Sequence, residues 1–232
     1  MAQLHESGKK GKAMKRTIVV KGIGKASVAP DLLVLALGMD VVDLDYGEMM
    51  RLATEEFEAI REALVGVGFQ AKDLKTSRYS ITTKYEGYHD DNNNWLQRFV
   101  GYECSHKLSV EFDLDIELLG KALVALADSP ANPTLNIQFT IRDKDAVGDL
   151  LLDKAIKDAT SKAGVLAKAS QVTLGEIISI DYNWAEHHFY SETDMAVGGA
   201  VPRGMALRGA SMDIEPEDID VRDTVAVTWA IQ

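Results

Sequence analysis

Between Thr17 and Val42 the apolar side chains first stand among small and polar ones (Ile18, Val20, Ile23, Val28) and then run almost unbroken from Leu32 to Val42. Both stretches read as strands. The Ala29-Pro30-Asp31 step between them joins a fixed φ to a side-chain acceptor, which predicts a first β-hairpin. From Tyr46 to Val65 the pattern changes: Met49, Leu52, Ala53, Phe57, Ile60 and Leu64 recur at three- and four-residue spacing, one stripe of an amphipathic helix that Gly66 and Gly68 should stop. Alternation returns at Tyr79, Ile81, Thr83 and Tyr85, and again from Tyr102 to Phe112, so two strands joined through HDDNNNWLQ predict a second hairpin.

Asp115 is placed to cap a short helix carrying Leu119, Leu123 and Leu126, which must end near Ser129-Pro130 because a residue before proline resists the helical region. Leu135, Ile137, Phe139 and Ile141 alternate as a strand. The longest helix runs from Asp143 to about Gln171, with Val147, Leu151, Leu152, Ala155, Ile156, Ala159, Ala163 and Leu166 as its buried side. So much alanine permits close backbone approach to whatever lies opposite. Ile178, Ile180, Tyr182 and Trp184 predict a further strand, and Val221, Val225, Val227, Trp229 and Ile231 a terminal one. Between them 185–218 has no period, and a loop of that length inside a compact domain is either disordered or ordered by something else.

The composition of 232 residues, 46% apolar and 26% charged, is that of a globular chain able to bury a core without staples. Its formal net charge of −11 repels phosphate backbones, so nucleic acid is not an expected partner. Cys104 is the single cysteine, which rules out an intrachain disulfide. The start, MAQLHESGKKGKAMKR, is basic but leads into a strand-like segment rather than an apolar signal core, so it reads as a flexible tail and the chain as written as cytoplasmic. An export signal missing from this sequence would make it a periplasmic or envelope protein. No apolar run is long enough to span a membrane.

Gly22-Ile23-Gly24-Lys25 follows an apolar run, where a phosphate-binding loop would sit. A Walker loop must open a helix, and here Pro30 and a second strand follow; a dinucleotide fingerprint fails because Ser27 stands where its third glycine should. The glycines instead relieve crowding or allow a bulge in a twisted strand. Cys104 and His106 share one strand face, the minimum geometry for a thiolate and its base, but the same face carries Leu108, Val110 and Phe112 and reads as core. His187 and His188 with Glu186, Glu192 and Asp194, and His89-Asp90-Asp91 in another loop, offer metal ligands without a defined ligand spacing, so a polar surface is the competing reading. DIEPEDID lacks the glycine and spacing of a calcium loop.

The order IVVKGIGKASVAPDLLVLALGMDV, ALVGVGFQAKDLKTSRYSI, GYECSHKLSVEF, DKAIKDATSKAGVLAKASQVTLGEIISI and DTVAVTWAI resembles the SIMPL family, over about Arg16 to Gln232. The resemblance implies an α+β fold, an antiparallel or mixed sheet built from hairpins and packed with an amphipathic helix and a long Ala-rich helix. It implies a flexible tail over 1–16, a single domain over 17–232 and the excursion 185–218 within it. Family members include bacterial periplasmic or outer-membrane immunogenic proteins; bacterial members have been connected with stress responses and the mammalian namesake with kinase signalling. The family resembles proteins that form large ring or channel-like homo-oligomers. It supplies no catalytic residue and no cofactor, so the expected function is a non-catalytic oligomeric scaffold or interaction protein, with Met195, Val197, Val201, Met205, Leu207 and Met212 as the expected interface. The alternative is a small-ligand or metal-binding protein, an enzyme in one form, using the histidine-bearing loops.

Overall fold

The computed structural model describes residues 16–182, 188–193, the backbone of 195–197, and 214–232. The strands are β1 (Thr17–Val28), β2 (Leu32–Asp43), β3 (Lys75–His89), β4 (Trp95–Asp113), β5 (Thr134–Thr140), β6 (Leu174–Tyr182), β7 (Met195–Val197) and β8 (Ile219–Ile231). The helices are α1 (Tyr46–Gly66), α2 (Ile116–Asp128) and α3 (Lys144–Ala169). This is an α+β fold with two antiparallel sheets, ordered β1-β8-β6 and β3-β4-β2-β5-β7. The chain divides into two compact units.

The first unit holds the three-stranded sheet and α3. Asp143 caps α3 by accepting from the Ala146 N–H at 2.8 Å. The buried face of α3 is Leu151, Ala155, Ala159, Ala163 and Ala167, one residue per turn. Leu166, expected inside, is 45% exposed, because the contact is a narrow small-residue seam and not a wide apolar stripe. Against that seam lie Gly22 and Gly24 of β1: a Cβ on Gly22 would stand 1.9 Å from the Ala155 carbonyl oxygen, and one on Gly24 1.9 Å from that of Leu151. The glycines are therefore a packing device, as the strand context predicts. Polar side chains of α3 also cover the free edge of β1. Asp158 Oδ2 accepts from the Ile23 N–H at 2.7 Å, and Lys154 Nζ donates to the Lys25 carbonyl at 3.0 Å. Val20, Val225, Val227 and Trp229 fill the rest of this core.

The second unit holds the five-stranded sheet, α1 and α2. Along β2 the odd residues Leu33, Leu35, Leu37 and Met39 are buried and the even ones from Val34 onward are not, the period-two pattern of a sheet covered on one face. Met49, Ala53, Ile60 and Leu64 of α1 and Leu119, Ala122, Leu123 and Leu126 of α2 close over that face. Asp45 and Asp115 cap the two helices by accepting from the Glu48 and Leu118 N–H groups, each at 2.9 Å. Gly68, at φ 117°, turns the chain after α1, whereas Gly66 is its last helical residue.

The expected hairpin of β1 with β2 does not form; the two strands lie in different sheets. Asp31, read as a turn residue, is bound into the second sheet instead. Its carbonyl accepts from Leu114 N–H at 3.0 Å, its N–H donates to the Thr140 carbonyl at 3.1 Å, and its carboxylate accepts from Arg142 N–H at 2.7 Å. The β3–β4 hairpin does form, with strands longer than the alternation marked. β6 is described only to Tyr182, and Trp184 lies outside the described residues.

Cys104 is fully buried in the second core and His106 is 8% exposed. The imidazole stacks on Phe57 at 5.3 Å, meets the edge of Tyr79 at 5.0 Å, and has Nε2 2.9 Å from Thr76 Oγ1. Burial in this apolar setting lowers its pKa from the ordinary 6.5.

Two predictions follow from the cores. Gly22→Ala should cost about 3 kcal/mol by urea unfolding, because its methyl meets backbone of α3, whereas Gly164→Ala, exposed with open space on α3 itself, should gain about 0.5–1 kcal/mol. A folded-state pKa below that of the unfolded chain means the unfolded chain takes up more protons as pH falls below 6.5. Stability should therefore drop between pH 7 and 5, above the carboxylate range, and His106→Leu should flatten that slope in urea titrations.

Candidate functional site

Two features of the second unit present surface of a kind that binds. The first is the free end of the β3–β4 hairpin. β2 pairs with β4 only from Asp113 to Tyr102, so Trp95–Gly101 of β4 pair with β3 alone. At the point of departure the ladder shifts register between Lys84 and Tyr85, and a Cβ on Gly101 would stand 2.5 Å from the Asp43 carbonyl oxygen. Beyond it, Tyr85 faces Phe99 at 5.8 Å and His89 faces Trp95 at 4.9 Å, with the indole lying over Gly87 between them. Tyr85, Trp95 and Phe99 remain 55%, 63% and 41% exposed. Glu86 and Arg98 pair at 2.6 Å on the rung between. Asp90 closes the tip by accepting from the Asn92 and Asn94 N–H groups at 2.9 and 2.8 Å, and those bonds, Asn94 first, hold its carboxyl below the usual range.

The second feature is a cleft of about 530 Å³ between the C-terminal part of β2, α1 and the turn before β5. Leu52 and Ala59 form apolar wall, and Asp40, Glu55 and Glu56 bring carboxylates. Glu56 Oε1 accepts from Asn132 N–H at 3.2 Å, and Glu55 is paired with Arg51.

Of the residues singled out from the sequence, Cys104 and His106 do share one face, but that face is the core. The Asp90 carboxylate, offered as a ligand, is occupied in closing its own turn. His188 is exposed, and His187, Glu186 and Asp194 lie outside the described residues. Among the described residues no three His, Cys, Asp or Glu side chains converge as metal ligands. Within the excursion 185–218 the described residues are held by the rest of the chain: Tyr190 bridges Thr140, and Met195 and Val197 of β7 pair with Ile137 and Leu135 of β5. Ser191 Oγ donates to the Glu217 carbonyl at 2.7 Å, and Glu217 N–H donates to Thr193 Oγ1 at 3.0 Å. Val201, Met205, Leu207 and Met212 lie outside the described residues.

Sequence reasoning missed the projecting aromatic ribbon, although Tyr85, Tyr88, Trp95 and Phe99 clustered around a turn were its signal. It also missed the cleft, whose walls come from three separate segments. No helix among the described residues is long and apolar enough to cross a membrane.

Comparison with known proteins supplies relatives. Two are 26 kDa periplasmic immunogenic proteins, of Brucella melitensis biotype 1 and Brucella abortus strain S19, each 27% identical over 164 residues, which is 70% of this chain. The chain spans 65% of the length of these Brucella relatives. An uncharacterized protein YggE of Edwardsiella ictaluri is 21% identical over 212 residues, 91% of this chain and 85% of its own. The family model described as SIMPL, protein of unknown function (DUF541), matches residues 18–229, through both sheets and all three described helices. The chain belongs to the SIMPL family.

Proposed function

We propose that this protein is a non-catalytic scaffold or interaction protein of the cell envelope that works as a homo-oligomer. The observation that carries the reading is the β3–β4 ribbon: a two-stranded hairpin beyond its sheet is marginal in water, and this one keeps an aromatic face open. Aromatic side chains of that kind give much contact area at low entropic cost when a second surface covers them. The stretch from β7 to Ile214 is the second element of the assembly, with Met195, Val197, Val201, Met205, Leu207 and Met212 at the interface. The envelope location rests on the Brucella relatives, named periplasmic; the cytoplasmic expectation finds no support among the relatives.

Light scattering on a size-exclusion column tests this reading. The full chain should elute as a discrete oligomer across the micromolar range. Replacing Tyr85, Trp95 and Phe99 together by Ser should shift it to smaller species while the far-ultraviolet circular dichroism is retained. Exchanging 198–213 for a Gly/Ser linker, which leaves β7 and the Glu217 contacts in place, should do the same. A full chain that stays monomeric over that range ends the scaffold reading.

A further inference from the structure

The strand edges of this protein are treated unequally. The free edge of β1 is covered by Asp158 and Lys154 of α3, and the outer edge of β5 by β7. On β2 the ladder to β5 stops at the pair Gly38 and Thr134, whereas the ladder to β4 continues to Asp43 and Tyr102. The Asp31 carbonyl, just before β2, accepts from Leu114 N–H on the β4 side, so the Leu32 N–H of the same trans peptide points away from β4 and odd-numbered residues from Leu33 onward face β4. Successive residues of an antiparallel strand point their N–H and C=O groups to opposite sides, so even-numbered ones face the other way. Thr134 Oγ1 donates to the Gly38 carbonyl from the β5 side, in agreement. Asp40 and Val42 therefore direct their N–H and C=O groups away from β4, and both line the cleft under α1. Among the described residues no strand pairs with that side of them.

We propose that this edge docks an extended, basic segment of a partner protein, which adds as a strand to Asp40 and Val42 in line with β5. Unpaired strand edges are templates for such addition. The uncovered stretch after Gly38 is about 17 Å long at the rise of a strand, room for a short segment only. Charge selects the occupant. Among the described residues Asp40, Glu55 and Glu56 line the cleft and no Lys or Arg does, so side chains projecting to either face of an added strand meet carboxylate. Arg51 pairs with Glu55, and Lys84 is bonded to Glu103 and feels Asp40, whereas among the described residues Glu56 makes no ion pair to a cation. Leu52 and Ala59 receive the stem of a long cationic side chain.

The inference goes beyond self-assembly and does not rest on it. Fluorescence anisotropy with labelled acetyl-Val-Lys-Val-Lys-Val-Lys-amide tests it on the full chain, with the oligomeric mass measured on the same samples. The basic peptide should bind saturably, one per chain, and weaken with salt. The same peptide with Glu for Lys should not bind. A version with Pro for the central Val, which cannot donate to the ladder, should bind about tenfold more weakly, the equivalent of one lost hydrogen bond. Val42→Pro removes an N–H that does not face β4 and should weaken binding by a similar factor; Asp40→Lys, at an exposed position, should do so by charge alone. No binding of the basic peptide at low salt overturns the proposal. So does equal binding of the proline peptide, or unchanged affinity in both variants, since either leaves only nonspecific attraction to a chain of net charge −11. A monomeric chain that still binds the peptide refutes the scaffold reading alone.

Discussion

A carbonyl oxygen of α3 occupies the place where a side chain on β1 would begin, at Gly22 and again one turn away at Gly24. Few constraints in a protein are as unforgiving, because the obstructing atoms are backbone and cannot rotate aside. The alanines at 155, 159 and 163 complete the seam from the helix side. That closeness lets Asp158 and Lys154 reach the outer edge of β1, so packing and edge protection come from one contact. A three-stranded sheet with one helix has little surface to bury, and backbone-to-backbone approach makes the most of it.

The second unit solves a different problem. Its sheet has one covered face, and the order β3-β4-β2-β5-β7 places the strand with the most continuous apolar run, β2, at the centre. The flanks are uneven. β3 and β4 outrun their neighbours and project as a ribbon, and β5 is shorter than β2 and leaves part of its edge open. Both irregularities have the same origin, strands of unequal length in one sheet, and both expose chemistry that a matched sheet would hide: aromatic rings in one case and backbone donors and acceptors in the other.

Under the scaffold reading proposed above, these two surfaces are where the SIMPL chain would meet a partner. The pair that the sequence offered as a thiolate and its base, Cys104 and His106, is spent on the core, with the imidazole held between Phe57, Tyr79 and Thr76. What stays open to water includes the ribbon with Trp95 and a cleft bordered by Asp40, Glu55 and Glu56.

The sequence by itself determined the elements whose signals are local. α1, α2 and α3 were legible from their three-and-four spacing, and α2 also from Asp115, whose side chain reaches only three residues ahead. The β3–β4 hairpin was legible because adjacent strands with a polar turn close at small entropic cost. Tertiary structure alone decided the partner of β1, since Pro30-Asp31 suits a turn but Asp31 is claimed by Leu114, Thr140 and Arg142, distant in sequence. It also decided the order at the ends of the excursion, where Tyr190 and β7 gain structure by hydrogen bonding to β5 and not from any period of their own. The cleft belongs to the same class. Its walls are drawn from β2, α1 and the turn before β5, and a periodicity read along one segment carries no information about which segments meet.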